Sequence, residues 1–264
     1  MKYSVLDMAE YVGSRSGFRS GVAIILGSGL GNFTEQIQTP IVIPYHAIPN
    51  YPQPTVEGHT GEFVIGKYKS IPLIAAKGRF HYYEGHDIET VTLPIHLFHK
   101  LGVKYIIITN AAGSARKSIP PGTLMMIDGY ADCTFIENMN IPKIKNDISS
   151  ILIGCAERAS KSVNVKLEKG VYCWTQGPAY ETPAEIEFIQ NIGGDAVGMS
   201  TVPELQAAKV LEIEALGIST ITNFAAGILD RQLTHNEVIE TANRTKNDFA
   251  KLIGATIENI GELL

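Results

Sequence analysis

Glu181, Ser200 and His235 each stand next to a Thr followed three residues later by a Glu, in Thr182-Pro-Ala-Glu185, Thr201-Val-Pro-Glu204 and Thr234-His-Asn-Glu237. This pattern is a capping box, in which a hydroxyl and a carboxylate satisfy backbone N–H groups at a helix start. A carboxylate, a hydroxyl and an imidazole are thereby set at helix N-termini, where α/β sheets bind ligands beyond the carboxyl ends of their strands. Two further segments offer anion chemistry. Gly27-Ser-Gly-Leu-Gly31 follows the apolar run Val22–Leu26, so backbone N–H groups and the Ser28 hydroxyl can face an anion. Taken alone, the same segment is what a bare strand-to-helix turn requires. Gly78-Arg-Phe-His-Tyr-Tyr-Glu-Gly85 puts Arg79 and His81 on one side of an extended stretch, an arginine fork and an imidazole suited to a phosphate. A surface Arg beside a core His fits that spacing equally well.

Other candidates are weaker. His59, in Gly58-His-Thr-Gly61, allows close backbone approach, but a lone His more often serves structure. His96 and His99 share a helix face without a third ligand at metal spacing. Cys133, Cys155 and Cys173 form no CxxC pair and read as buried thiols. The glycines at 27, 29 and 31 fit neither a Walker loop nor GxGxxG. No acidic residue follows near Tyr51, about 20 positions on, so a dinucleotide site is disfavoured.

The elements that must position these residues are legible as apolar runs and periodicities. Val22–Leu26 and Lys104–Thr109 read as strands buried on both faces, and Glu62–Gly78 as two strands turning at Lys69-Ser70. Further strands are expected at Leu124–Asp128, Lys166–Trp174 and Ile218–Thr222. Helices are expected at Glu89–Leu101, Asp147–Ser162, Thr182–Gln190, Thr201–Leu216 and Thr234–Leu263. Phe249, Leu252, Ile253, Ile257 and Ile260 form the apolar stripe of the last. Strands alternating with helices predict a largely parallel, doubly wound α/β sheet in a single domain, residues 1–264. The formal net charge of −5 and the lack of a Lys/Arg-rich run disfavour nucleic acid as a partner. No apolar run reaches membrane-spanning length and Met1–Gly13 is unlike a secretory leader, so a cytoplasmic protein without membrane contact is expected.

The ordered set Gly27-Ser-Gly-Leu-Gly31, Gly58-His59, Gly78-Arg-Phe-His-Tyr-Tyr-Glu-Gly85, Thr109-Asn-Ala-Ala-Gly113, Gly177-Pro-Ala-Tyr-Glu-Thr182, Val197-Gly-Met-Ser-Thr-Val-Pro-Glu204 and Thr222-Asn-Phe-Ala-Ala-Gly227 resembles the trimeric purine nucleoside phosphorylase family. The resemblance implies a three-layer phosphorylase/hydrolase-like fold with a mixed, largely parallel twisted sheet flanked by helices, and a homotrimer. It implies a pentosyltransferase of purine salvage that cleaves inosine- or guanosine-type nucleosides with inorganic phosphate as co-substrate and with no metal or other cofactor. Carried over residue by residue, Ser28, His59, Arg79, His81, the Ala111 backbone and Ser200 look like the phosphate site. Tyr83, Met199 and His235 look like the ribose site. Glu181 and Asn223 look like the base-reading pair, with Ala112, Tyr180, Val197 and Gly198 lining the base pocket. Asn223, Glu181 and His81 are the residues expected to carry catalysis. Phe135 is a candidate to close the pocket of a neighbouring subunit.

Two positions depart from the family pattern: Tyr180 stands where many relatives carry Phe, and Phe224 where some carry Lys. An ionised Glu181 only accepts hydrogen bonds and so suits the N1–H of a 6-oxopurine over the N1 lone pair of adenine. Methylthioadenosine phosphorylases typically carry Asp for this Asn and Ser for this Glu. A methylthioadenosine or xanthosine phosphorylase is the alternative within the enzyme class, and a non-catalytic purine-binding module the alternative outside it.

Overall fold

The computed structural model describes residues 2–56, 60–136, 140–229 and 235–264, with backbone alone for 235–240 and 242–244. The two apolar runs lie side by side at the centre. Strand β1 (Val22–Leu26) pairs in parallel with β5 (Tyr105–Ser114) on one side and with β4 (Ile71–Lys77) on the other. Alternate residues of each strand point to opposite faces. Ala23, Ile25, Ile106 and Ile108 enter one core layer, and Val22, Ile24, Leu26 and Ile107 the other. Two buried faces explain why these segments are apolar throughout rather than alternating. Each fully buried Ile stabilises the fold by roughly 1.5–3 kcal/mol.

Helices cover both faces. Helices α1 (Val5–Ser16), α2 (Ile88–Val91), α3 (Leu93–Lys100) and α6 (Val202–Val210) contribute to or flank the first layer. Helices α4 (Ser150–Val163) and α7 (His235–Gly261) close the second. The α7 stripe packs as its periodicity predicts, with Leu252, Ile253, Ile257 and Ile260 fully buried.

The sheet is mixed, as the resemblance implies, in the order β2 (Gln38–Pro44), β3 (Glu62–Tyr68), β4, β1, β5, β8 (Ala196–Gly198), β7 (Leu167–Trp174), β6 (Leu124–Asp132) and β9 (Glu214–Phe224). It departs from a simple doubly wound sheet because β9 also pairs with β5, so β5, β8, β7, β6 and β9 close into a ring. Antiparallel pairing enters at β2–β3, β3–β4, β5–β8 and β6–β9.

Some expected boundaries move. The helix expected over Glu89–Leu101 splits into α2 and α3 at Thr92, just ahead of Pro94, which has no N–H to continue the first helical ladder. The helix expected over Thr201–Leu216 ends at Val210. Glu212 adopts a left-handed conformation (φ 55°) and the chain re-enters the sheet as β9 at Glu214. The three cysteines are buried free thiols, as expected. Among the described residues, no helix is long and apolar enough to cross a membrane, and no group of three His, Cys, Asp or Glu side chains could hold a metal ion.

Candidate active site

Among the described residues, candidate phosphate residues Ser28, Arg79 and His81 follow the ends of β1 and β4, and Ala111 lies within the adjoining β5. Gly27 lets β1 run against β5, since a Cβ there would lie 2.8 Å from the Asn110 Cα and the Thr109 carbonyl oxygen. The Gly27 N–H donates to Thr109 Oγ1 (3.1 Å). Gly29 then takes a left-handed conformation (φ 77°), leaving Ser28 exposed on the turn. Ala111 lies half-buried on the neighbouring β5.

Arg79 follows β4 and is buried at 2% exposure, so the surface-Arg reading of the sequence does not hold. Its Nη1 donates to Ser200 Oγ at 3.1 Å, joining two phosphate candidates 121 residues apart. Its Nε lies 3.3 Å from Glu204 Oε1, and that side chain is 1% exposed. This overturns the second expected capping box. Thr201 sits at φ 75°, makes no side-chain cap bond and instead accepts from Asn110 Nδ2 (3.0 Å), while the Glu204 carboxylate points inward. Burial raises the Glu204 carboxyl above its ordinary pKa, with the Arg79 charge pulling the other way. The Thr182–Glu185 box forms as expected, whereas Thr234 of the third lies outside the described residues.

His81 is held by Glu84, whose Oε1 is 2.9 Å from His81 Nδ1 and accepts from the His81 backbone N–H at 2.8 Å. The other oxygen, Oε2, accepts from the Thr55 N–H (2.7 Å) and hydroxyl (2.6 Å). Burial lowers the His81 pKa, a trend that the Arg79 charge reinforces and Glu84 opposes, which favours the neutral imidazole. For Glu84, desolvation works toward a higher pKa, but the hydrogen bonds from His81 and Thr55 outweigh it and set the value at about 2. A depressed carboxyl stabilises the fold fully above its unfolded value near 4.5 and loses that contribution as pH falls towards 2. Melting curves between pH 5 and 2.5 should therefore fall more steeply for the wild type than for Glu84→Gln; parallel slopes would remove Glu84 from this role.

The base-side candidates come from the loop before α5 and from strands β5, β8 and β9. Glu181 immediately precedes the Thr182 cap of α5 (Pro183–Asn191), and its Oε1 accepts from Thr175 Oγ1 at 2.6 Å. Asn223 is presented by an irregularity in the β5–β9 pairing, where Ala112 is opposite Ile221 but Gly113 is opposite Asn223. Its Oδ1 accepts from Thr222 Oγ1 (2.8 Å), and one Nδ2–H donates to the Phe224 carbonyl (3.0 Å). Gly113 makes room for the amide, since a Cβ there would stand 3.0 Å from Nδ2 and 3.5 Å from Val197 Cγ1. Ala112 and Val197 are buried at 3% exposure, and a Cβ on Gly198 would collide with the Tyr172 hydroxyl.

On the ribose side, Tyr83 stacks on His81 (4.8 Å between ring centroids, 18°). Tyr83 and Met199 close around Gly177, where an added Cβ would meet Met199 Sδ at 2.6 Å and Tyr83 Cδ1 at 2.9 Å. Tyr180 is 53% exposed. Phe135 is 38% exposed at φ 57°, its ring 5.9 Å from that of Phe188. His59 and the side chain of His235 lie outside the described residues.

The Phosphorylase superfamily model matches residues 21–258. Purine nucleoside phosphorylase 1 of Geobacillus stearothermophilus is 43% identical over 256 residues, covering 91% of this chain and 92% of the relative. The chain belongs to the purine nucleoside phosphorylase family. Among solved structures of that family, the Schistosoma mansoni purine nucleoside phosphorylase in complex with inosine superposes with a TM-score of 0.85 at 29% identity, covering 96% of this chain and 95% of that one. The same protein in complex with adenosine gives 0.84 at 29%, covering 96% of each chain.

For a purine nucleoside phosphorylase of this sequence, the structure adds residues that hold the candidate ones in place: Glu84 and Thr55 behind His81, Glu204 behind Arg79, Thr175 behind Glu181 and Thr222 behind Asn223. Thr222 and Glu84 lie within motifs visible in the sequence. Thr175 and Thr55 belong to no pattern that separates them from ordinary loop residues.

Proposed function

We propose that the chain catalyses reversible phosphorolysis of 6-oxopurine ribonucleosides and deoxyribonucleosides, such as inosine and guanosine, giving the free base and the pentose 1-phosphate. The observation that carries the 6-oxopurine reading is the fixed polarity of the base-reading pair. The Phe224 carbonyl can only accept and the Thr222 hydroxyl donates to Oδ1, so the Asn223 amide has one orientation, with a second Nδ2–H left to donate. Glu181 has one oxygen engaged by Thr175 and the other left to accept. A donor from Asn223 and an acceptor from Glu181 match N7 or O6 and the N1–H of a 6-oxopurine. Adenine presents a lone pair at N1 and an amino group at C6.

In the reaction the C1′–N9 bond breaks and its electron pair moves onto the purine, while a phosphate oxygen forms the new bond to C1′. Positive charge develops on the sugar, as in glycoside cleavage, and negative charge on the base. The Asn223 N–H meets the growing charge at N7, an interaction stronger in the transition state than in the ground state. On the opposite face Ser28, Arg79, His81, His59, the Ala111 backbone and Ser200 hold the phosphate against C1′, so it serves as pre-positioned nucleophile and counter-charge together. With Nδ1 facing the ionised Glu84, a neutral His81 offers Nε2 to the proton of hydrogen phosphate. Tyr83, Met199 and His235 fit the ribose. The scheme needs no metal and no cofactor beyond the phosphate co-substrate. Assembly as a cytoplasmic homotrimer, with Phe135 closing a neighbour's pocket, belongs to the same proposal and is open to sedimentation analysis.

Hypoxanthine release from inosine, followed with and without inorganic phosphate, tests the reaction type. Release is expected to require phosphate and to yield ribose 1-phosphate; equal rates in phosphate-free buffer would mean hydrolysis instead.

A further inference from the structure

We infer that Glu204 is a positioning residue for the reaction, a buried counter-ion that sets the orientation of the Arg79 guanidinium toward phosphate. The inference rests on the phosphorylase reading, which places Arg79 and Ser200 at the phosphate.

The geometry separates the two edges of the guanidinium. Arg79 Nε faces the Glu204 carboxylate at 3.3 Å, and Nη1 reaches Ser200 Oγ at 3.1 Å. Since the guanidinium is a planar fork, holding the Nε edge sets the direction of the remaining N–H groups. Glu204 is rigidly placed for this task. It lies in the first turn of α6, its side chain is 1% exposed, and the turn begins at the left-handed Thr201, pinned by Asn110. The preceding residue, Ser200, donates its backbone N–H to the Tyr172 hydroxyl (3.3 Å) and its Oγ lies 3.1 Å from Thr201 Oγ1. Glu204 and Ser200 therefore meet Arg79 from one braced segment, residues 200–204, although Arg79 comes from the end of β4.

Stability alone gives little reason for such a pair. Desolvating two charges largely cancels their attraction, and well-packed apolar residues often serve as well or better. A binding site for a dianion needs the positive charge to be present before the anion arrives. A resident carboxylate keeps that charge buried, ordered and compensated while the site is empty. Glu204 is well suited to this because its place in the helix keeps it on the Nε side of Arg79, away from the Nη1 that reaches Ser200.

Glu204→Gln preserves shape and removes the charge. The expected result is a phosphate KM raised at least about tenfold, with the inosine KM and the kcat at saturating phosphate within about threefold of wild type. Phosphate-induced thermal stabilisation, which needs no turnover, should shrink in parallel. An unchanged phosphate KM, or a fall in activity explained entirely by a smaller folded fraction, overturns the inference. If Glu204→Gln does not fold, Glu204→Asp retains charge but withdraws it by one methylene, and it should raise the phosphate KM while sparing the inosine KM; a wild-type phosphate KM in that variant also overturns the inference. Absence of phosphate-dependent cleavage by the wild type would defeat the phosphorylase reading separately. The thermal response of wild type and variant to inorganic phosphate would still decide the role of Glu204.

Discussion

Glu181→Ala is expected to lower kcat/KM for inosine by about 10³- to 10⁴-fold while the protein stays folded and still responds thermally to phosphate. The loss is large because a required hydrogen bond disappears, leaving the purine N1–H without a partner. Folding should survive, since Glu181 is only half-buried and its carboxylate bonds the loop hydroxyl of Thr175. The Thr182 cap that starts α5 uses Glu185 instead. Steady-state kinetics with inosine, set beside melting curves with and without phosphate, separate the outcomes. Turnover near the wild-type rate would remove Glu181 from base recognition.

Asn223→Asp should reduce inosine kcat/KM by roughly 10²- to 10³-fold, the loss typical of removing one donor aimed at developing negative charge. It also places a second carboxyl oxygen beside the Phe224 carbonyl, where Nδ2–H now donates. Ionised, the new side chain repels both that carbonyl and purine N7, but it can accept from the 6-amino group of adenosine. The adenosine-to-inosine ratio of kcat/KM is therefore expected to rise at least about tenfold. An unchanged ratio contradicts the assignment of Asn223 as the base-side donor.

Much of this site was readable because its residues sit in short apolar-run-plus-turn segments. The runs of β1 and β5 are apolar throughout because both faces are covered, which marks them as central. Other elements left weaker marks. Strand β8 has three residues, too few for a period, and β2 is largely exposed and interrupted by Pro40. Helix α1 has its amphipathic spacing at Val5, Met8, Ala9 and Val12, all buried, but Asp7 and Glu10 interrupt the apolar run and hide it from a simple scan.

The Thr201–Glu204 pattern misleads for a physical reason. A Glu three residues after a Thr at a helix start suits a cap or an inward counter-ion, and only the partner, Arg79, 125 residues earlier in the chain, decides between them. The pairing of Ser200 with Arg79 depends likewise on the crossover of the sheet. Spacing along the chain carries no trace of it.

Closure of β5, β8, β7, β6 and β9 also bears on how the molecule avoids unwanted growth. Among the described strands, β2 alone has one whole side unpaired. A free edge of this kind is where sheets add further chains. Here it carries Ile41 and Val42 at 40% and 50% exposure, apolar residues that would favour such addition. It also carries Pro40 and Pro44, which cannot donate to an incoming strand, and an irregular register between Gln38 and Ile41 with Thr39 at φ 47°. The protection of a nine-stranded sheet against edge-to-edge polymerisation is thus concentrated in a few residues at its far side, away from the seam where chemistry is placed.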